Sequence, residues 1–177
     1  PKFDPQSGEM FSHGYEARGL ATRDVALQVV SPDGRLARED FFLAPYCSFM
    51  HDWAVSAEHF IFPLWSTTAD EARMRQGGPH WVFEVDRDLA IGVMRRDAEV
   101  KDIRWYRLPP GGVGHVLNAF SEGHKVHVDL FISDRNQFPF IQNSDGAPFD
   151  RDHATPRLTR WTFDLAKKGD SFGAQTF

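Results

Sequence analysis

The residues of this chain best equipped for chemistry are histidines, and two of the eight stand apart from the others. His51 lies in Phe49-Met50-His51-Asp52-Trp53-Ala54-Val55, where alternation predicts a strand with the imidazole on the same face as Phe49, Trp53 and Val55. A ring on an apolar face needs a hydrogen-bond partner or a metal, because an unsatisfied buried polar group costs about 1–3 kcal/mol. His115 follows Gly111-Gly112-Val113-Gly114 and opens an apolar run, so the backbone can pass close to whatever that ring touches. The other six, His13, His59, His80, His124, His127 and His153, fall in turns or beside charges and are expected to face solvent.

Neither histidine belongs to a local metal motif. No HExxH or CxxC spacing is present, and His51 and His115 are far apart in the chain. Ligands so separated converge only if each comes from a different strand pair around a common centre. A propeller axis supplies that geometry, and a sandwich core rarely does. Other chemistries are weaker. Gly111-Gly112-Val113-Gly114 has no following Lys-Ser/Thr and precedes a strand rather than a helix, so it does not read as a phosphate loop. A GxSxG elbow is missing, Glu84, Asp86 and Asp88 are expected to be solvated in a turn, and no calcium-loop spacing occurs.

The elements that must carry these residues read as strands. Val25–Val30 and Leu36–Leu43 flank the turn Ser31-Pro32-Asp33-Gly34, Phe49–Val55 and Phe60–Trp65 form a second hairpin, and His115–Phe120 and Lys125–Ile132 a third. Further strands are expected at Met10–Tyr15, Val82–Val85, Ala90–Arg95, Ile103–Arg107 and Leu158–Leu165. One short helix is predicted over Thr68–Gln76, with Thr68 and Glu71 as a capping box and Gly77-Gly78-Pro79 as its stop. Such a pattern is all-β: a sandwich, a barrel or a propeller. At about 45 residues per blade, the chain suffices for roughly four blades.

Composition narrows the class. With 177 residues, of which 41% are apolar, the chain has the size of one domain and the makings of a packed core. Its net charge of −5 argues against a nucleic-acid partner. The single cysteine, Cys47, excludes an internal disulfide framework and suggests a buried thiol in a cytoplasmic protein. The longest nearly apolar stretch, Phe41–Met50, contains Pro45 and is too short to span a membrane, and no secretory signal opens the chain. A start at Pro1 without an initiator Met, and an uncapped stop at Phe177, lead to the expectation of a single partial domain, residues 1–177, cut from a longer protein.

Four blocks resemble the carotenoid cleavage oxygenases, the family of retinal pigment epithelial membrane protein-like enzymes. Met50-His51-Asp52-Trp53-Ala54-Val55-Ser56 is similar to its HDF-A-x-T/S segment, and Gly114-His115-Val116-Leu117-Asn118-Ala119-Phe120 to its FH-x-x-N-A-[YFW] segment. Pro1 to Met10 resembles HP-x-x-DP-x-TGE, and Pro156 to Leu165 resembles the L-x-R-W-x-x-D strand. Val113-Gly114-His115 and Asn136-Gln137-Phe138-Pro139-Phe140 look most like the bacterial lignostilbene-cleaving branch. Two departures stand out: Trp53 replaces the usual Phe after His51-Asp52, and Gly114 the usual Phe before His115.

The resemblance implies part of a seven-bladed β-propeller, about three to four blades of it. It also implies an axial Fe(II) held by four histidines, of which His51 and His115 match the second and third, with O2 as co-substrate. Phe138 maps to an aromatic wall of the substrate cleft. The implied function is a dioxygenase that cleaves a C=C bond of a stilbene-like phenolic or apocarotenoid substrate to two carbonyl products. With half the ligands, the isolated chain is expected to be inactive; a homodimer is a candidate assembly of the whole protein. The competing reading is a non-catalytic propeller scaffold whose histidines are buried and structural.

Overall fold

The computed structural model describes residues 1–170 and 172–177. The first sheet is a simple meander of β1 (Lys2–Phe3), β2 (Met10–Gly14), β3 (Asp24–Val30) and β4 (Leu36–Leu43), each antiparallel to the next. The chain then forms β5 (Ala54–Val55) and β6 (His59–Leu64) and detours through β7 (Thr67–Ala69), helix α1 (Glu71–Arg75) and β8 (Trp81–Phe83). β9 (Leu89–Arg95) and β10 (Arg104–Leu108) complete a second sheet ordered β5-β6-β9-β10. A third is built from β11 (Gly112–Glu122) and β12 (Lys125–Ser133), then, past a detour through β13 (Gln142–Asn143), from β14 (Arg157–Asp164) and β15 (Phe172–Thr176).

The all-β expectation holds, with three four-stranded sheets rather than four. The residues that would make a fourth go into the two detours. These pair with each other, β7 antiparallel to β8 and β13 parallel to β8, as a separate three-stranded sheet.

The turn chemistry is as the sequence expects at Ser31-Pro32-Asp33-Gly34. The Gly34 amide donates to the Ser31 carbonyl at 2.9 Å, and Gly34 takes φ +82°, a left-handed conformation open to glycine at little cost. Three other expectations are corrected. The helix is only five residues and its cap is Asp70, whose carboxylate accepts from the Arg73 amide at 2.7 Å; Thr68 is instead a buried residue of β7. Phe49–Val55 is not one strand: only Ala54 and Val55 pair, opposite Ile61 and Phe60. Upstream the backbone turns through two tight bonds, Met50 amide to Ser48 carbonyl and His51 amide to Phe49 carbonyl. The closing strand β15 lay outside the expectation altogether.

Two apolar clusters lie between neighbouring sheets. β6 is buried on both faces, so its alternate residues serve both. Phe60, Phe62 and Leu64 join Phe11, Val25, Leu27, Met50 and Trp53. Ile61 joins Ile91, Tyr106, Val126, Leu130, Trp161 and Phe163. Trp53 is 1% exposed and stacks on Phe60 and Phe62 with centroids 5.7 Å away from each. The larger ring at this position is therefore accommodated in the first interior. Cys47 is buried, as expected.

The six remaining histidines divide differently from the expectation. His124 and His153 are exposed. His59, however, is buried in β6 with Nδ1 3.1 Å from the Ser121 hydroxyl, and His127 is buried in β12 with Nδ1 2.9 Å from Thr162 Oγ1. His13 packs on Trp53 and bonds the Met50 carbonyl at 2.9 Å, and His80 bonds Glu16 at 2.6 Å. Each of the buried rings His59 and His127 has one nitrogen on a hydroxyl, while His127 Nε2 is buried without a hydrogen-bond partner among the described residues. Among the acids, Asp86 and Asp88 are exposed, but Glu84 is half-buried and accepts from Thr68 and Arg87.

Burial pushes both His13 and His59 below the usual imidazole value of 6.5. The unfolded chain thus holds those protons more tightly than the folded one, so their contribution is complete above pH 6.5 and declines as pH falls below it. Denaturant unfolding at pH 8 and pH 5.5 should show a lower midpoint at the acid value; an unchanged midpoint would contradict this burial.

Candidate metal centre

The first strands of the three sheets meet at one place. The link is Asp52, which follows His51 directly. One carboxylate oxygen lies 2.9 Å from the Lys2 ammonium on β1 and accepts from the Trp53 amide at 2.9 Å. The other accepts from the Val116 amide of β11 at 2.9 Å. Burial opposes ionisation, but the Lys2 ammonium and the Val116 and Trp53 amides outweigh it and hold the carboxyl below the usual carboxylate range. Strict alternation would have turned Asp52 away from the site; because residues 50–53 are not a strand, it faces β11 instead.

β11 reaches that point with its regular ladder broken twice. Val113 pairs with Ile132, Val116 with Leu130 and Asn118 with Asp129, so β11 carries one surplus residue before Val116 and another after it. His115 sits in the first bulge. Bulges re-aim side chains, and here the imidazole is turned to the exposed side, with 73% of its surface free.

His51 is exposed as well. Its ring lies nearly parallel to Phe49, at 16° and 5.8 Å between centroids, and meets Trp65 edge-on at 6.2 Å. Phe49 is in turn packed edge-to-face by Tyr15, Trp81 and Phe138, at 6.0, 5.2 and 6.3 Å. The extra sheet therefore presses aromatic side chains from two detours against the ring that orients His51.

The structure brings the two singled-out histidines together, with centroids 5.2 Å apart and planes inclined at 65°. Two imidazoles on one ion at about 2.1 Å, in adjacent positions, hold their centroids roughly 4.5–5.3 Å apart. Neutral imidazole is a donor suited to iron, and neither ring is hydrogen-bonded to protein among the described residues, so both fit a shared cation. His115 Nδ1 lies 3.9 Å from Asp52, too far for a hydrogen bond. Among the described residues no group of three or more His, Cys, Asp or Glu side chains is placed to hold a metal, so the chain offers a pair of ligands only.

Phe138 is half-buried beside Phe49, and Phe140, 79% exposed, lies 5.4 Å from it. A cavity of about 850 Å³ lies elsewhere, lined by Tyr46, Trp105 and Arg107 among others. Sequence reasoning missed Asp52 and the aromatic packing around Phe49. The only available signal for Asp52 was its place next to the histidine. Among the described residues no helix is long and apolar enough to cross a membrane.

Three edge strands converging on a histidine pair fit a β-propeller, and a solved structure shares the fold of this chain. The lignostilbene dioxygenase of Pseudomonas brassicacearum superposes with a TM-score of 0.93 at 38% identity, over 99% of this chain and 37% of that one. An isoeugenol monooxygenase of Pseudomonas putida is 44% identical over 96% of this chain. The lignostilbene-alpha,beta-dioxygenase isozyme III of Sphingomonas paucimobilis is 37% identical over 97% of it. The retinal pigment epithelial membrane protein family model matches residues 1–176, and the chain belongs to that family. It spans about a third of the length of these relatives, 35% and 36% of the two sequences.

Removing the Asp52 carboxylate leaves the Val116 amide and the Lys2 ammonium without their partner. Asp52→Ala should lower the unfolding free energy by about 1–3 kcal/mol, and Asp52→Asn, which keeps one acceptor oxygen, by less. Equal losses in denaturant unfolding would contradict the bridging role.

Proposed function

We propose that the whole protein containing this chain is a non-haem Fe(II)-dependent dioxygenase acting on a phenolic compound whose alkene is conjugated to the aromatic ring. The observation that carries this reading is the convergence of His51 and His115, from separate sheets, to 5.2 Å between ring centroids. Membership of a family whose relatives here are an isoeugenol monooxygenase and lignostilbene dioxygenases supports it. Isoeugenol and lignostilbene are both phenols with an aryl-conjugated double bond, and that shared chemistry defines the substrate class. A structural scaffold gives no reason for two imidazoles from separate sheets to meet, whereas a shared cation does.

In the reaction both bonds of the alkene break, each carbon takes one oxygen atom of O2, and two carbonyl products result without an external reductant. A ferrous ion supplies the one-electron chemistry that lets ground-state dioxygen react with a closed-shell alkene. This chain would contribute two of its imidazole ligands, His51 held by stacking on Phe49 and His115 by the bulge of β11. Phe138 would form an apolar wall that positions a flat substrate and keeps water from the reacting carbons. With two ligands among the described residues, the 177-residue piece alone is expected to show no turnover.

In the full-length protein, His51→Ala or His115→Ala should reduce iron from about one per chain to a small fraction of that, with the circular dichroism of the sheets unchanged. Wild-type iron content in both variants would refute the assignment. Phe138→Ala should raise KM roughly tenfold and alter kcat less, the loss expected for one aromatic contact. An unchanged KM would remove Phe138 from the substrate wall.

A further inference from the structure

The segment 134–141 touches the surroundings of both histidines. On one side Phe138 packs on Phe49, the ring that stacks on His51. On the other, the Gln137 side chain reaches back to β11, where Nε2 donates to the Gly112 carbonyl at 2.7 Å. Its Oε1 lies where Gly114 leaves room: a Cβ on residue 114 would stand 3.2 Å from that oxygen, tighter than ordinary contact. Gly112 and Gly114 bracket the start of the bulge that carries His115.

The segment is itself firmly held. Asn136 is 5% exposed, donates to the Ile141 carbonyl at 2.7 Å and to Asn143 Oδ1 at 3.1 Å, and accepts from the Phe138 amide at 3.0 Å. Gln137 thus projects from a fixed base rather than from a loose loop.

We propose that Gln137 is a positioning residue for the metal-binding pair. Its amide pins the Gly112–Gly114 stretch and thereby sets the direction of the His115 ring, while the adjacent Phe138 sets that of His51 through Phe49. One short segment fixes both imidazoles relative to each other. The replacement of the usual Phe by Gly114 acquires a physical reason: it admits the Gln137 carboxamide beside His115. The proposal rests on the reading of His51 and His115 as ligands of one ion.

The test uses the full-length protein, freed of iron and titrated with Co(II), whose ligand-field absorption reports ligand directions without turnover. Gln137→Met keeps the side chain's length and removes its hydrogen bond. It should weaken Co(II) binding roughly 10–100-fold and shift the visible spectrum while the melting temperature stays near wild type. Gly114→Ala, which crowds the carboxamide from the other side, should move affinity and spectrum in the same direction. The double variant should be no weaker than Gln137→Met by more than about twofold, because the two changes disrupt one contact. If both single variants keep wild-type affinity and spectrum while His51→Ala and His115→Ala abolish binding, the positioning role is wrong and the metal reading stands. A lowered melting temperature with an unaltered cobalt spectrum also overturns it. Wild-type Co(II) binding in the histidine variants would instead overturn the metal reading beneath it.

Discussion

The carboxylate of Asp52 ties three sheets together at their inner edges. It pairs with an ammonium from β1 and accepts from an amide of its own segment and an amide of β11. A carboxylate suits the position because it accepts several bonds at once, and each charged contact is stronger than a neutral one. The residue before it is consequently carried to the same point, and the residue before Val116 arrives there from the other side. His51 and His115 meet because their neighbours are bonded to each other.

Around that knot the chain divides its labour. The two interiors between sheets are filled from both faces of β6 and give rigidity. The detours between strands contribute little to those interiors. Instead they build the three-stranded sheet and deliver Trp81 and Phe138 to Phe49. Orientation of the His51 ring is therefore a packing effect, imposed by edge-to-face aromatic contacts, whereas that of His115 is a backbone effect, imposed by a bulge.

Much of the scaffold was legible because its signals are local. The Pro-Asp-Gly turn fixes the β3–β4 hairpin, and the alternation in β14 matches its burial, whereas β9 and most of β12 are buried on both faces. The two histidines singled out in the sequence do lie side by side, although the local backbone differs from the strand the sequence suggests. His51 was assigned to the apolar face of a strand, yet it is exposed in a segment that leaves the sheet. Alternation could not reveal this, because the turns at Met50 and His51 use backbone bonds that any residue can make. The opposite error befell His59 and His127, whose cross-strand hydroxyl partners lie far away in sequence. Thr68 failed as a cap because Asp70, closer to the first turn, competes for the same amides. The bulged register of β11 depends on its pairing with β12 and has no signature beyond the glycines that permit it.

The claim under all of this is that one cation sits between two particular rings. Anomalous diffraction at the iron edge, on crystals of the iron-loaded full-length protein, addresses it without recourse to activity. A single peak within about 2.0–2.3 Å of a ring nitrogen of both His51 and His115 is the result this account requires. A peak bound by only one of them, or located away from the meeting point of β1, β5 and β11, would contradict it.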